Sequence, residues 1–114
     1  MKTRIQPSPT SNEVDQFHAD ICSALADPRR LSIIYTLADG PQNVTSLSQT
    51  LQISQPATSR HLKVLRDRGL VTATREGSTM RYELADERLI EALDLLRAIL
   101  RDRIAYRASF FESS

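Results

Sequence analysis

Apolar side chains recur along this chain at two periods, and the switches between them mark its elements. Val14, Phe17, Ile21 and Leu25 step by three and four, the stripe of a helix that begins near Thr10 to Asn12. Asp27-Pro28 then pairs an N-cap acceptor with a proline at the first helical position. The spacing predicts a second helix there, carrying Leu31, Ile34 and Leu37 inward and ending at Asp39-Gly40-Pro41. Asn43 or Thr45 caps a short third helix with Val44, Leu47 and Leu51 on its inner side. Ser54 caps a fourth, in which Pro56 falls within the first turn, where a missing backbone donor costs nothing.

Gly69 follows Arg68 at the place of a left-handed residue beyond a helix end, with Leu70 able to fold back. The period then drops to two. Val71 to Arg75 and Thr79 to Leu84 read as strands, and Glu76-Gly77-Ser78 reads as the hairpin turn, Gly77 supplying a positive φ. A last long helix starts at about Asp86, its stripe of Leu89, Leu93, Leu96, Leu100 and Ile104 widened by Ile90, Leu95 and Ile99. Two strands do not stand alone in water, so the hairpin must pack on the helices. The expected fold is mainly α with a β-hairpin wing, in the order α-α-α-α-β-β-α: a winged helix-turn-helix. Residues 1–12, polar and holding Pro7 and Pro9, read as a flexible tail, 13–108 as the domain and 109–114 as a second tail.

At 114 residues this is one domain, small enough to gain from association with a second copy. The lone cysteine, Cys22, leaves no internal disulfide framework and suits a reducing cytoplasm. No apolar run approaches a membrane span and no signal-peptide core is visible, so a cytoplasmic protein with no membrane partner is expected. Charge changes the picture by its placement. From Ser54 to Arg81, Arg60, Lys63, Arg66, Arg68, Arg75 and Arg81 stand against Asp67 and Glu76, a net +4 in a chain whose total is +1. Such concentration makes nucleic acid the first partner to consider.

At 100° per residue, the fourth helix turns Ala57, Leu62 and Leu65 inward and Gln55, Ser59, Arg60 and Lys63 outward. Gln and Arg side chains can pair with adenine and guanine edges in a major groove, and a serine reaches base or phosphate. Gln55, Ser59 and Arg60 are therefore the expected base readers, and Lys63 a phosphate holder. Ser54 offers the capped helix start, where free N–H groups suit phosphate. Thr58 lies at the margin with a methyl for thymine, and His61 turns towards packing or phosphate rather than bases. At the hairpin, Arg75 and Arg81 flank the tip beside Gly77, placed to straddle a backbone or enter a minor groove.

ALADPRRLSIIYTL (24–37), LQISQPATSRHLKVLRDRGLV (51–71) and REGSTMRYEL (75–84), in this order, resemble the ArsR/SmtB family of bacterial winged-helix repressors. The resemblance runs from about Val14 to Ile104. It implies a homodimer joined through the first and last helices, here through Phe17, Ile21, Leu93, Leu96, Ile99, Leu100 and Ile104. It also implies repression from an imperfect palindromic operator in double-stranded DNA, relieved by an effector. The family's sensor residues do not carry over. Thr45 to Leu51 lacks the Cys-x-Cys of the metalloid site, Asp86 to Ala108 lacks the histidines of the zinc site, and one cysteine is too few for the persulfide type. No cofactor and no metal ligand set is expected, and the effector, whether small molecule, metal or oxidant, is left unassigned.

Two further readings compete. His18 and Cys22, four apart on the first helix, share a face; with Asp15, or Asp102 of a second copy, they can hold a metal, and Cys22 alone can be oxidised. Against this, a single cysteine between Ile21 and Leu25 is ordinarily a small buried hydrophobe. In the other reading the basic face meets acidic protein, as an interaction module without its own operator. An enzyme is not expected: no nucleophile has a nearby base, and there is no glycine-rich phosphate loop or paired catalytic carboxylate.

Overall fold

The computed structural model describes residues 8–112, with side-chain surroundings for 8–109. Five helices and three short strands follow one another as α1 (Ser11–Ala24), α2 (Pro28–Ala38), β1 (Gln42–Asn43), α3 (Val44–Leu51), α4 (Gln55–Asp67), β2 (Val71–Glu76), β3 (Thr79–Leu84) and α5 (Arg88–Glu112). The expected class, mainly α with a β wing, is what the chain forms. Helix begins at Ser11, within the Thr10 to Asn12 window expected for its start, and one edge differs from expectation: α5 continues to Glu112, through most of the expected second tail. Residues 1–7 and 113–114 of those tails lie outside the described residues.

Local chemistry sets the boundaries. Thr10 and Glu13 exchange side-chain-to-backbone bonds as a capping box at α1. Asp27 accepts from the backbone N–H of Arg29 at 2.8 Å, which holds its carboxyl below the usual carboxylate range and starts α2 with Pro28 in the first turn. Asn43 caps α3, accepting from Ser46 N–H at 2.8 Å. At the end of α4, Leu70 N–H donates to Leu65 and Gly69 N–H to Arg66, both at 2.9 Å, and Gly69 takes φ +73°. These are the two bonds of a Schellman motif, and they carry the chain from helix into strand. Asp86 accepts from the backbone N–H and guanidinium of Arg88, and its pKa falls to about 2.

The sheet is antiparallel in the order β1-β3-β2. β1 was not expected; its two polar residues pair Gln42 with Tyr82 and Asn43 with Arg81, fastening the start of α3 to the hairpin. Ala24, Ile33, Ile34, Leu37, Leu47, Leu62, Leu65, Leu70, Val71 and Leu93 form one core, where α2, α3 and α4 meet the base of the hairpin. Ile33, absent from the expected stripe, is fully buried beside Ile34.

Apart from Ala24 and half-buried Ile21 at its C-terminal end, α1 does not join this core, and neither does most of α5. The chain's radius of gyration is 18.1 Å, against about 13 Å for a compact chain of this length. α5 alone reaches about 37 Å. Val14, Phe17, Leu95, Leu96, Ile99, Leu100, Ile104 and Tyr106 are all exposed along these two arms. Leu93 corrects the expected stripe: its neighbours further along α5 face solvent, but it is covered by its own chain. Tyr35 on α2 donates to Asp94 at 3.1 Å and lies under the guanidinium of Arg97 at 4.1 Å, tying the root of the arm to the body. Among the described residues no helix is long and apolar enough to cross a membrane.

Candidate nucleic-acid interface

α4 follows α3 through a turn of only three residues. Gln52 takes the left-handed conformation at φ 55°, a strained value for a residue with a side chain, and this reverses the chain at once. Ser54 then accepts from Ala57 N–H at 3.2 Å, and α4 begins. Its inner side, Ala57, Thr58, Leu62 and Leu65, is buried. Its outer side presents Gln55, Ser59, Arg60 and Lys63, all exposed, with Arg66 continuing the row. A helix with one face locked in a core can offer the other as a rigid reading surface.

The outward side chains differ in how they are held. Gln55 donates to Thr45 Oγ1 at 3.4 Å, across the helix-turn-helix. Lys63 pairs with Asp67 at 3.0 Å, both largely exposed, an i,i+4 pair weak enough to be exchanged for a phosphate. Arg60 has no ion pair among the described residues, so its guanidinium needs no release before use.

Thr58 is a correction. It is fully buried, and its hydroxyl donates to the carbonyl of Ser54 at 2.9 Å, so its methyl cannot meet a thymine. That internal bond is what lets a threonine occupy the core side. His61 is partly buried, with Nδ1 3.4 Å from Nη1 of Arg30. Burial pushes its pKa below the usual imidazole value; Asp27 opposes this, while Arg30, Arg29 and Arg60 add to it. A neutral ring accepting from Arg30 fits the packing role expected of it.

In the hairpin, register decides which way the arginines point. Val71, Ala73 and Arg75 pair with Leu84, Tyr82 and Met80 on the face whose base joins the core; Thr74 pairs with Arg81 on the exposed face. Arg75 and Arg81 therefore leave the hairpin on opposite faces, near a turn in which Gly77 adopts φ +64°. Arg81 lies 3.8 Å from Glu76, an exposed and weak pairing.

One cation was missed. Arg29, exposed at the start of α2, lines a cleft of about 440 Å3 with Ser32, Gln52 and Ser54, at the foot of α4. The Asp27 cap was the available signal, since it puts Arg29 in the first turn, but the cleft depends on a fold that brings two helix starts together. On α1, Cys22 is exposed rather than buried. Among the described residues no three His, Cys, Asp or Glu side chains converge as a metal site.

Comparison with known proteins matches residues 27–73, from the cap of α2 into the first strand of the hairpin, to the bacterial regulatory proteins of the arsR family. The transcriptional repressor SmtB of Mycobacterium tuberculosis is 36% identical over 83 residues, covering 73% of this chain and 62% of that protein. The chain thus matches somewhat under two thirds of that relative's length. The regulator NmtR of the same organism is 38% identical over 92 residues, covering 80% and 77%. Among solved structures, a homodimeric winged helix-turn-helix DNA-binding domain from Mycobacterium bovis superposes with a TM-score of 0.76 at 27% identity, covering 88% of this chain and 93% of that one. NolR from Sinorhizobium fredii gives a TM-score of 0.70 at 33% identity, covering 83% and 96%.

Proposed function

Because the chain belongs to the ArsR family of bacterial regulatory proteins, we propose that it is a sequence-specific DNA-binding regulator, a homodimer that represses transcription from an imperfect palindromic operator. In this reading α4 enters the major groove, Gln55, Ser59 and Arg60 read base edges, and Lys63, Arg75 and Arg81 hold phosphates. Ser54 and Arg29 add phosphate contacts at the foot of the helix, and Gly77 lets the wing tip approach the backbone. The chain acts by binding and carries out no chemistry on its ligand.

The observation that carries this reading is the outward row on a helix whose other face is buried. Dimerisation has its own support. α1 and α5 expose aliphatic and aromatic side chains along their length, and a second copy brings the same stripes to cover them. Phe17, Leu96, Ile99, Leu100 and Ile104 are assigned to that interface, with half-buried Ile21 at its margin; Leu93 is left out because its own chain covers it. Such a dimer presents two α4 helices to half-sites about one helical turn apart.

Selection of bound duplexes from a random pool, followed by a salt titration of the winner, tests the proposal. A two-fold related motif and a log Kd that rises steeply with log salt are expected, since neutralised phosphates release counterions. Weak binding that ignores sequence even at low salt overturns it and favours the reading in which Arg60, Lys63, Arg75 and Arg81 meet acidic protein.

A further inference from the structure

α1 carries the apolar face assigned to the second copy, and α4 carries the reading surface. Between them lies Arg30, in the first turn of α2. Its Nε donates to the carbonyl of Ala24, the last residue of α1. Its Nη1 lies 3.8 Å from the Asp27 carboxylate and 3.4 Å from Nδ1 of His61, in the middle of α4. A separate contact joins the same two helices: Asp20 of α1 meets Arg68, the C-cap of α4, at 3.7 Å.

The N-terminal arm is therefore fastened to the reader helix at two places, His61 and Arg68. Those positions are seven residues apart, or about 10 Å along the helix axis. One fastening fixes a distance, whereas two also fix an angle. In a dimer built on α1 and α5, the angle between α1 and α4 determines how far apart, and how rotated, the two reader helices stand.

We infer that Arg30 with His61, and Asp20 with Arg68, are positioning groups that set the half-site spacing this protein accepts. The inference rests on the homodimeric, operator-binding reading above. Folding alone is a poor explanation of the Asp20 to Arg68 contact, because both side chains are a third or more exposed and such pairs add little stability. Moving a half-site by one base pair shifts it about 3.4 Å and rotates it about 35°, so a small loss of angular control is read out directly.

The test uses the full-length chain and three duplexes: the selected operator, and versions with one base pair added or removed between half-sites. Wild type should bind the selected spacing about tenfold or more tightly than either altered one, a difference of about 1.4 kcal/mol. Arg30→Met should lose most of that preference and Asp20→Asn a measurable part of it, while both bind an isolated half-site as wild type does. Arg30→Lys, which keeps charge without the fork of donors, should fall between. His61→Gln, which keeps an acceptor for Arg30, should stay close to wild type. Should Arg30→Met fail to fold, Asp20→Asn at the surface decides alone. Spacing preference unchanged in the folded variants overturns the inference, however far their Tm falls. A wild type that selects no duplex overturns the regulator reading itself, and this inference with it.

Discussion

The body of the molecule and its two arms use the same aliphatic side chains in opposite ways. Ile33, Leu47 and Leu62 have no exposed surface, whereas Leu95 and Ile104, on a helix of the same chain, keep about two thirds of theirs. Composition does not separate these groups; what surrounds them does. In the body each stripe meets another from α2, α3, α4 or the hairpin base, and the core closes within one chain. Along the first turns of α1, at Val14 and Phe17, and beyond Leu93 in α5 the stripes stay largely open to solvent. The proposed reader row sits on the closed part and the proposed partner contacts on the open part, so in this proposal recognition is built on rigid packing and association on surface left unfinished.

That contrast is most severely tested in the core. Leu62→Ala, at a site with no exposed surface, should cost about 2–5 kcal/mol, a large share of the roughly 5–15 kcal/mol that holds a domain folded. Denaturant unfolding should show the lower midpoint with an unchanged slope. Should Leu62→Ala cost no more than Ile104→Ala measured at a concentration where the protein is monomeric, body and arm would not differ as described.

In the arm, Leu100→Glu with Ile104→Glu should leave the body folded and the protein monomeric by sedimentation. Losing the second reader should weaken operator binding by about a hundredfold or more, since two linked half-sites no longer act together. A double variant that remains a dimer would remove α5 from the interface.

Within the DNA surface the comparison becomes finer. Arg60→Ala should cost about 1–3 kcal/mol per half-site on the selected duplex and relax preference at one base position in each half. Arg81→Ala, on the exposed face of the wing, should weaken all sequences alike and lower the salt slope by about two, one for each half of the dimer. An unchanged motif for Arg60→Ala, or a sequence-selective loss for Arg81→Ala, would exchange the roles given to helix and wing.

Most of the fold was legible because its boundaries are chemical. Asp27-Pro28, Ser54, Gly69-Leu70 and Gly77 each satisfy a local backbone requirement visible in a few residues, and each boundary lies where those residues put it. What escaped depends on distant partners. β1 is two polar residues whose extended form comes from the edge of β3. Thr58 looked marginal on a wheel and is buried because its hydroxyl finds the Ser54 carbonyl one turn back. Leu93 continues the arm's period without a break, and only the position of the body shows that its turn belongs to the core. The outward row of α4 was readable from periodicity, whereas Arg30 gave no local sign, since its contacts join three helices.

The smallest expected effect concerns His61, where body and reader helix meet. Burial, together with Arg30, Arg29 and Arg60 and against the pull of Asp27, holds its pKa below the ordinary imidazole value of about 6.5. The unfolded chain therefore takes up a proton at higher pH than the folded one does. The stability contributed by neutral His61 is complete above pH 6.5 or so, and is lost as pH falls through that value and then through the lower folded pKa. His61→Gln removes this proton while leaving an acceptor facing Arg30. Thermal unfolding from pH 8 to pH 5 should show wild type losing Tm relative to the variant only on the acid side, with the two curves parallel above about pH 7. Parallel curves over the whole range would mean that His61 titrates alike in both states, and that the ring beside Arg30 is as open to water as the arms are.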